Sequence, residues 1–331
     1  MTTLRVQNLF KLYQNAKYVS ARNISFEVNE GEIFGFLGIN GAGKSTTIKC
    51  LTGIIPFTAG KIEICGHDIK DDPYNAKRNF GFVPDNHATY DKLTGTEYVN
   101  YISNLYSIPI KPKLIATKYS AETKEVQKQK VREEVAALKK ADQDRKKQKF
   151  EELVKIFKLE NSINNQIMSY SHGMKQKISI IGALIHEPKL WILDEPMVGL
   201  DPQSIFEVKN YMKEYAAKGN SVIFSSHNLD TVEKLCDRAL IIHGGRVIGL
   251  VDLHEYRKSG KDLEAEFMKL TAAAKKQQDA ERQKLGAEEA ELGKSHGKRK
   301  ASQMIQRKVR DEVFEEIDKA QSNNVTKKGK K

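Results

Sequence analysis

Glu32-Ile-Phe-Gly-Phe-Leu37 runs directly into Gly38-Ile-Asn-Gly-Ala-Gly-Lys-Ser-Thr46. The first six residues read as a buried strand, and the stretch from Thr46 toward Gly53 reads as a helix. Between them, Gly38, Gly43, Lys44 and Ser45 satisfy the pattern G-x-x-x-x-G-K-[ST] in the strand–loop–helix setting it requires. Glycines let the backbone N–H groups of Asn40, Gly41, Ala42, Gly43 and Thr46 turn inward as a nest for phosphate oxygens, and the helix start adds its positive end. Lys44 is placed to reach β- and γ-phosphates, and the Ser45 hydroxyl to coordinate Mg2+. ATP is the expected ligand.

A second element answers the first. Leu190-Trp-Ile-Leu-Asp-Glu195 is a run of four apolar residues ending in two carboxylates. In parallel sheets, ligands gather outside the carboxyl ends of strands. Asp194 can therefore hold the water shell of Mg2+, and Glu195 can polarise an attacking water. The fold class that follows is α/β, a P-loop nucleotide-hydrolase (RecA-like) parallel sheet.

Composition bounds the rest. The 331 residues carry 55 Lys plus Arg against 43 Asp plus Glu, a formal charge of +12. At ~150 residues per domain this is one large domain or two smaller ones. No run approaches the ~18 apolar residues of a membrane span, and the N-terminus lacks the layout of a secretory signal. Cys50, Cys65 and Cys236 form no Cys-x-x-Cys and read as reduced thiols of a cytoplasmic protein. Residues 117–150 hold 11 basic and 6 acidic side chains, and residues 272–331 hold 16 and 10, so these two segments contain nearly all of the surplus. Residues 118–149 read as a charged helix with too narrow an apolar stripe (Val131, Val135, Leu138) to build a core. In the tail, Ile305, Val309, Val313 and Ile317 recur every four residues, with Ser302 as a candidate helix cap. Residues 323–331 read as disordered. Both segments fit either solvated surface or docking to a partner protein or anionic membrane face. Only Tyr119 and Phe150 bound the insert, so aromatics for base stacking are lacking and nucleic acid is disfavoured as a partner.

These residues, in this order, resemble the nucleotide-binding subunit of an ATP-binding cassette (ABC) transporter, over residues 4–271. The resemblance implies several further site residues. Tyr13 lies where the family stacks an aromatic ring on adenine. Tyr170-Ser-His-Gly-Met-Lys-Gln176 is similar to the family signature through Ser171 and Gly173, which in the family meet the γ-phosphate of ATP on an opposing subunit. Gly199-Leu-Asp201 resembles the loop crossing that dimer interface; Asp201 before Pro202 also reads as a helix N-cap. His227, after the apolar residues 222–224, matches the switch histidine that contacts the γ-phosphate. Asp85, in Gly81-Phe-Val-Pro-Asp85, occupies a position where the family commonly has glutamine; it is shorter and acidic, and can still bind water or metal. The form Ser-His-Gly-Met-Lys-Gln resembles the bacterial exporter-type branch.

The resemblance implies an ATPase domain over residues 1–271, with an antiparallel β subdomain and a helical subdomain near 91–170 that contains the charged insert. A basic extension covers 272–331. Thr94-Gly-Thr-Glu97 reads as a capping box, and residues 239–251 as a β-hairpin turning at Gly244-Gly245. The implied activity is MgATP hydrolysis in a homo- or heterodimer at the cytoplasmic face of the membrane. It would drive export of an unidentified substrate through separate transmembrane permease subunits. Two other readings stand beside it: a cassette ATPase acting on nucleic acid or ribosomes, and a non-enzymatic scaffold.

Overall fold

The structure, a computed structural model, describes residues 1–14, 16–86, 90–107, 112–260 and 262–328. Among the described residues the strands are β1 Thr2–Lys11, β2 Ala21–Asn29, β3 Ile33–Leu37, β4 Ala59–Ile64, β5 His67–Asp68, β6 Phe80–Val83, β7 Leu190–Leu193, β8 Ser221–Ser226, β9 Arg238–His243 and β10 Arg246–Asp252. The helices are α1 Lys44–Leu51, α2 Pro73–Arg78, α3 Gly95–Leu105, α4 Pro112–Lys118, α5 Lys124–Ile156, α6 His172–Leu184, α7 Pro202–Ala217, α8 Leu229–Leu235, α9 Leu253–Ser259, α10 Leu263–His296 and α11 Lys298–Lys328. They divide into two compact units.

The first unit comprises Met1–Asp85, Lys189–Pro196 and Lys209–Lys331. Its larger sheet has the order β10-β9-β3-β8-β7-β6. Strands β6, β7, β8, β3 and β9 are parallel, and β10 returns antiparallel to β9 as the Gly244-Gly245 hairpin. β3 and β7 are buried at every position, as continuous apolar strands covered on both faces must be. The smaller antiparallel sheet is ordered β2-β1-β4-β5. Phe26 from it meets Phe34 and Phe36 of β3 at centroid distances of 5.4 and 5.1 Å. Trp191, fully buried, packs edge-on against Tyr211 and Tyr215. Each such large side chain contributes roughly 1.5–3 kcal/mol on burial.

The tail departs from expectation. Helices α10 and α11 form a hairpin that folds back on this unit, so the docking partner of the apolar stripe is the chain's own body. Ala301, Ile305, Val309, Val313 and Ile317 are all buried, and Val313 and Ile317 close over Phe10, Val19 and Ala59. α11 opens at Lys298 directly after Gly297, which takes φ +82°, so Ser302 lies inside the helix and is not its cap. The helix continues through Lys328, so residues 323–328 are helical where disorder was expected; 329–331 lie outside the described residues.

The second unit comprises Asn86–Pro188 and Met197–Val208, a wider range than 91–170 because α6 belongs to it. α3 opens with a complete Thr94/Glu97 capping box and packs on α6, where Gly182 leaves room for the Tyr98 ring. The charged insert is the hairpin α4–α5. α5 begins six residues later than 118, after the turn around Tyr119, whose hydroxyl donates to Glu134. Inside it, Lys146 is buried against Asp142 at 2.8 Å and donates to Ser107. Among the described residues no helix is long and apolar enough to cross a membrane.

Candidate functional site

In the first unit the end of β3 delivers the chain into the glycine loop. Gly43 takes φ +107°, a left-handed conformation, and a Cβ there would sit 2.7 Å from the Ser20 carbonyl oxygen. Only glycine fits both conditions. The Gly245 N–H donates to the Ala42 carbonyl at 2.8 Å, so the β9–β10 turn buttresses the loop. α1 then starts at Lys44 with its amides toward the loop.

Lys44 is buried, and its ammonium donates to the Gly38 carbonyl at 2.7 Å and lies 3.3 Å from Glu195 Oε1. Glu195 follows the end of β7 at φ +49°, an unusual backbone state for a side chain of this size. Its N–H donates to Ser225 Oγ at 2.8 Å, while the same hydroxyl donates to Asp194 Oδ1 at 2.6 Å. Ser225, on β8, thus joins both carboxylate residues from the neighbouring strand. His227 Nδ1 sits 3.0 Å from Glu195 Oε2.

Asp194 is fully buried, and its Oδ2 has no hydrogen-bond partner among the described residues. Burial pushes its carboxyl above the ordinary value. The hydroxyls of Ser225 and Ser45 oppose that shift, while the charges of Asp85 and Glu195 add to it. A buried carboxylate oxygen without a proton donor, beside a hydroxyl and near two further carboxylates, suits a hard cation with oxygen ligands. The residues present therefore fit Mg2+.

Loop residues 39–46, Asp85 and Glu195 line one cavity of about 350 Å3. The structure thus brings together Asn40, Gly41, Ala42, Gly43, Lys44, Ser45, Thr46, Asp85 and Glu195. Gly38 and Asp194 lie directly behind as bonding partners of this set. Tyr13 does not line that cavity: its ring is 42% exposed and carries the Lys11 ammonium at 4.6 Å. Tyr18, five residues further on, does line it, together with Ser20, Gly245, Gln278 and Arg282. Of these, the sequence singles out Gly245 alone, and only as part of a hairpin turn. Ser225 was legible only as one of two serines before His227.

The second unit holds the other set. Ser171 caps α6, its Oγ accepting from the Met174 N–H at 3.3 Å. Asp201 caps α7, accepting from the Ser204 N–H at 2.9 Å and from its hydroxyl; these bonds hold the Asp201 carboxyl below its ordinary value. The His172 ring rests on Gly199, where a Cβ would lie 2.6 Å away, and Nε2 is 3.3 Å from the Val198 carbonyl. A Cβ on Gly173 would lie 3.9 Å from Asp201 Oδ2. Ser171, Gly173 and Asp201 therefore form one cluster, with His172 wedged in the loop that carries Gly199.

The family model of the ABC transporter matches residues 21–198. The chain is 33% identical over 247 residues to the linearmycin resistance ATP-binding protein LnrL of Bacillus subtilis (strain 168), covering 75% of this chain and 68% of that one. It is likewise 33% identical to the bacitracin transport ATP-binding protein BcrA of Bacillus licheniformis, over 78% of this chain and 73% of BcrA. A solved ATP-binding subunit of an ABC transporter superposes with a TM-score of 0.67 at 30% identity, covering 81% of this chain and 99% of that one.

Proposed function

We propose a function from one premise: this chain belongs to the ABC transporter family. It is the ATP-binding subunit of such a transporter and hydrolyses ATP. The observation that carries this reading is the single cavity in which the phosphate loop faces Glu195, with Asp194 buried behind it. Loop amides and Lys44 bind the phosphates. Glu195 orients and deprotonates the attacking water, and His227, 3.0 Å from Glu195, steadies that carboxylate and the γ-phosphate. The carboxylate is held in place before reaction by strained backbone and the Ser225 bond, the kind of preorganisation that electrostatic catalysis requires. Ser45, Asp194 and Asp85 would hold Mg2+, which when bound neutralises charge on the phosphates.

The cluster of Ser171, Gly173 and Asp201 cannot act on a phosphate alone; it is assigned to ATP bound by a second copy or a related subunit. Such a dimer closes on two ATP molecules and reopens after hydrolysis. The motion is delivered to separate transmembrane subunits at the cytoplasmic face of the membrane. Resistance and transport in the names of the two relatives support export. The ATPase domain is assigned to residues 1–271, with 272–331 as an added hairpin. The nucleic-acid reading drew on basic appendages, and in the hairpin Lys308 faces a carboxylate partner, Glu288.

Affinity purification from detergent-solubilised cells, with mass spectrometry of stoichiometric partners, tests the assignment. A polytopic membrane protein should co-purify, with MgATP hydrolysis in the same fraction. Ribosomal proteins or nucleic acid without a membrane partner would overturn it.

A further inference from the structure

The terminal hairpin has no part in the function proposed above, yet α10 forms a wall of the phosphate-loop cavity. Gln278 and Arg282, one helical turn apart on the same face, share its lining with residues 39–46. Arg282 differs from four other basic residues where hairpin and body meet. Lys17, Arg22, Arg246 and Lys308 pair with Glu289, Glu316, Glu281 and Glu288. Among the described residues Arg282 forms no ion pair. Its guanidinium instead lies 4.9 Å from the ring centroid of Tyr18, itself a lining residue. A guanidinium stacked on an aromatic face is fixed in orientation while its N–H edge stays open to acceptors. An unneutralised cation held this way, in a cavity whose other donors include the loop amides and Lys44, is complementary to a polyphosphate.

The helix is seated on the loop's own support. A Cβ on Gly244 would lie 2.6 Å from Gln278 Nε2, and the adjacent Gly245 N–H bonds the loop carbonyl of Ala42. α10 therefore touches, through the Gln278 side chain, the turn that braces the loop, while the apolar stripe that seats the hairpin belongs to α11.

We propose that Arg282 is a nucleotide-contacting residue: the C-terminal hairpin supplies, in cis, a guanidinium oriented by Tyr18 to the phosphates of ATP bound at residues 40–46. The inference rests on the phosphate-loop reading. Titration of the full chain with a fluorescent ATP analogue tests it, comparing the unsubstituted protein with Arg282→Ala, Arg282→Lys and Lys44→Ala. Arg282 is exposed, so its replacement leaves the core intact, which circular dichroism verifies. Arg282→Ala should weaken binding by about tenfold or more, and Arg282→Lys should recover part of that loss, because charge is kept while the planar fork is not. Unchanged affinity in Arg282→Ala, with binding lost in Lys44→Ala, overturns the role of Arg282 and leaves the phosphate-loop reading standing. Equal loss in the Ala and Lys variants assigns Arg282 to packing and also overturns it. Retained binding in Lys44→Ala defeats the phosphate-loop reading itself.

Discussion

The carboxyl end of the parallel sheet and the terminal hairpin treat charge in opposite ways. At the sheet end, Asp194 is fully buried with one oxygen unpartnered, and Glu195 is held at positive φ. On the hairpin, carboxylates meet cations at half-exposed positions, as in Lys17–Glu289 and Arg246–Glu281. Pairs of that exposure contribute at most about 1 kcal/mol each, so the hairpin is held chiefly by its apolar stripe. The sheet end instead carries costs of order 1–3 kcal/mol per strained or unsatisfied group. The contrast shows one place where the fold tolerates unfavourable charge: beside the loop that a phosphate or cation can reach.

Three substitutions break or sharpen that contrast. Glu195→Gln should have the largest effect, lowering phosphate release by about 10²–10⁴-fold, the range typical of a lost general base, while ATP still binds. Full retained turnover would remove Glu195 from the role of base. Ser225→Ala comes next. It takes the acceptor from the Glu195 N–H and the donor from Asp194 Oδ1, and should cost about 1–3 kcal/mol in thermal or denaturant unfolding, with turnover reduced less than in Glu195→Gln. Unchanged stability would show that the sheet end does not depend on this bridge.

Glu316→Gln should matter least. The Arg22 guanidinium beside Glu316 holds its carboxyl below the ordinary 4.5. A depressed carboxyl stabilises the fold above that ordinary value, and the contribution disappears as pH falls through the lower folded-state value. The substitution should therefore cost no more than about 1 kcal/mol at pH 7 and nothing at the acid end of the range. Hydrogen exchange in α11 at two pH values checks this. A loss that persists in acid would mean that the pair is not what the carboxylate contributes.

Much of the site was legible because its chemistry is contiguous in sequence. Residues 38–46 form a loop whose conformation their own glycines dictate, and residues 190–195 form a buried strand with its ligands at the end. What sequence could not supply were side chains that arrive from distant strands and helices. Ser225 matters through a bond to residues 30 positions earlier, and Arg282 reaches the cavity only because α10 folds back. The four-residue apolar period in α11 was visible, but periodicity identifies a buried face without naming what buries it. Tyr13 and Tyr18 show the same limit: both are aromatics between β1 and β2, and only the folded chain shows that Tyr18 and not Tyr13 lines the cavity.

The strand order has a consequence for how the protein is made. β3, which leads into the phosphate loop, is flanked by β8 and β9, and Ile33 pairs with Val222, about 190 residues later. At synthesis rates of about 5–20 residues per second, both edges of β3 wait on the order of 10–40 s for their partners to leave the ribosome. Throughout that interval the nascent chain carries an apolar strand with unpaired amides and carbonyls on either side, an invitation to pair with the wrong neighbour. Correct folding of the nucleotide-binding core is thus a late event, and yield in the cell should depend on how well the growing chain is sheltered until β9 has emerged.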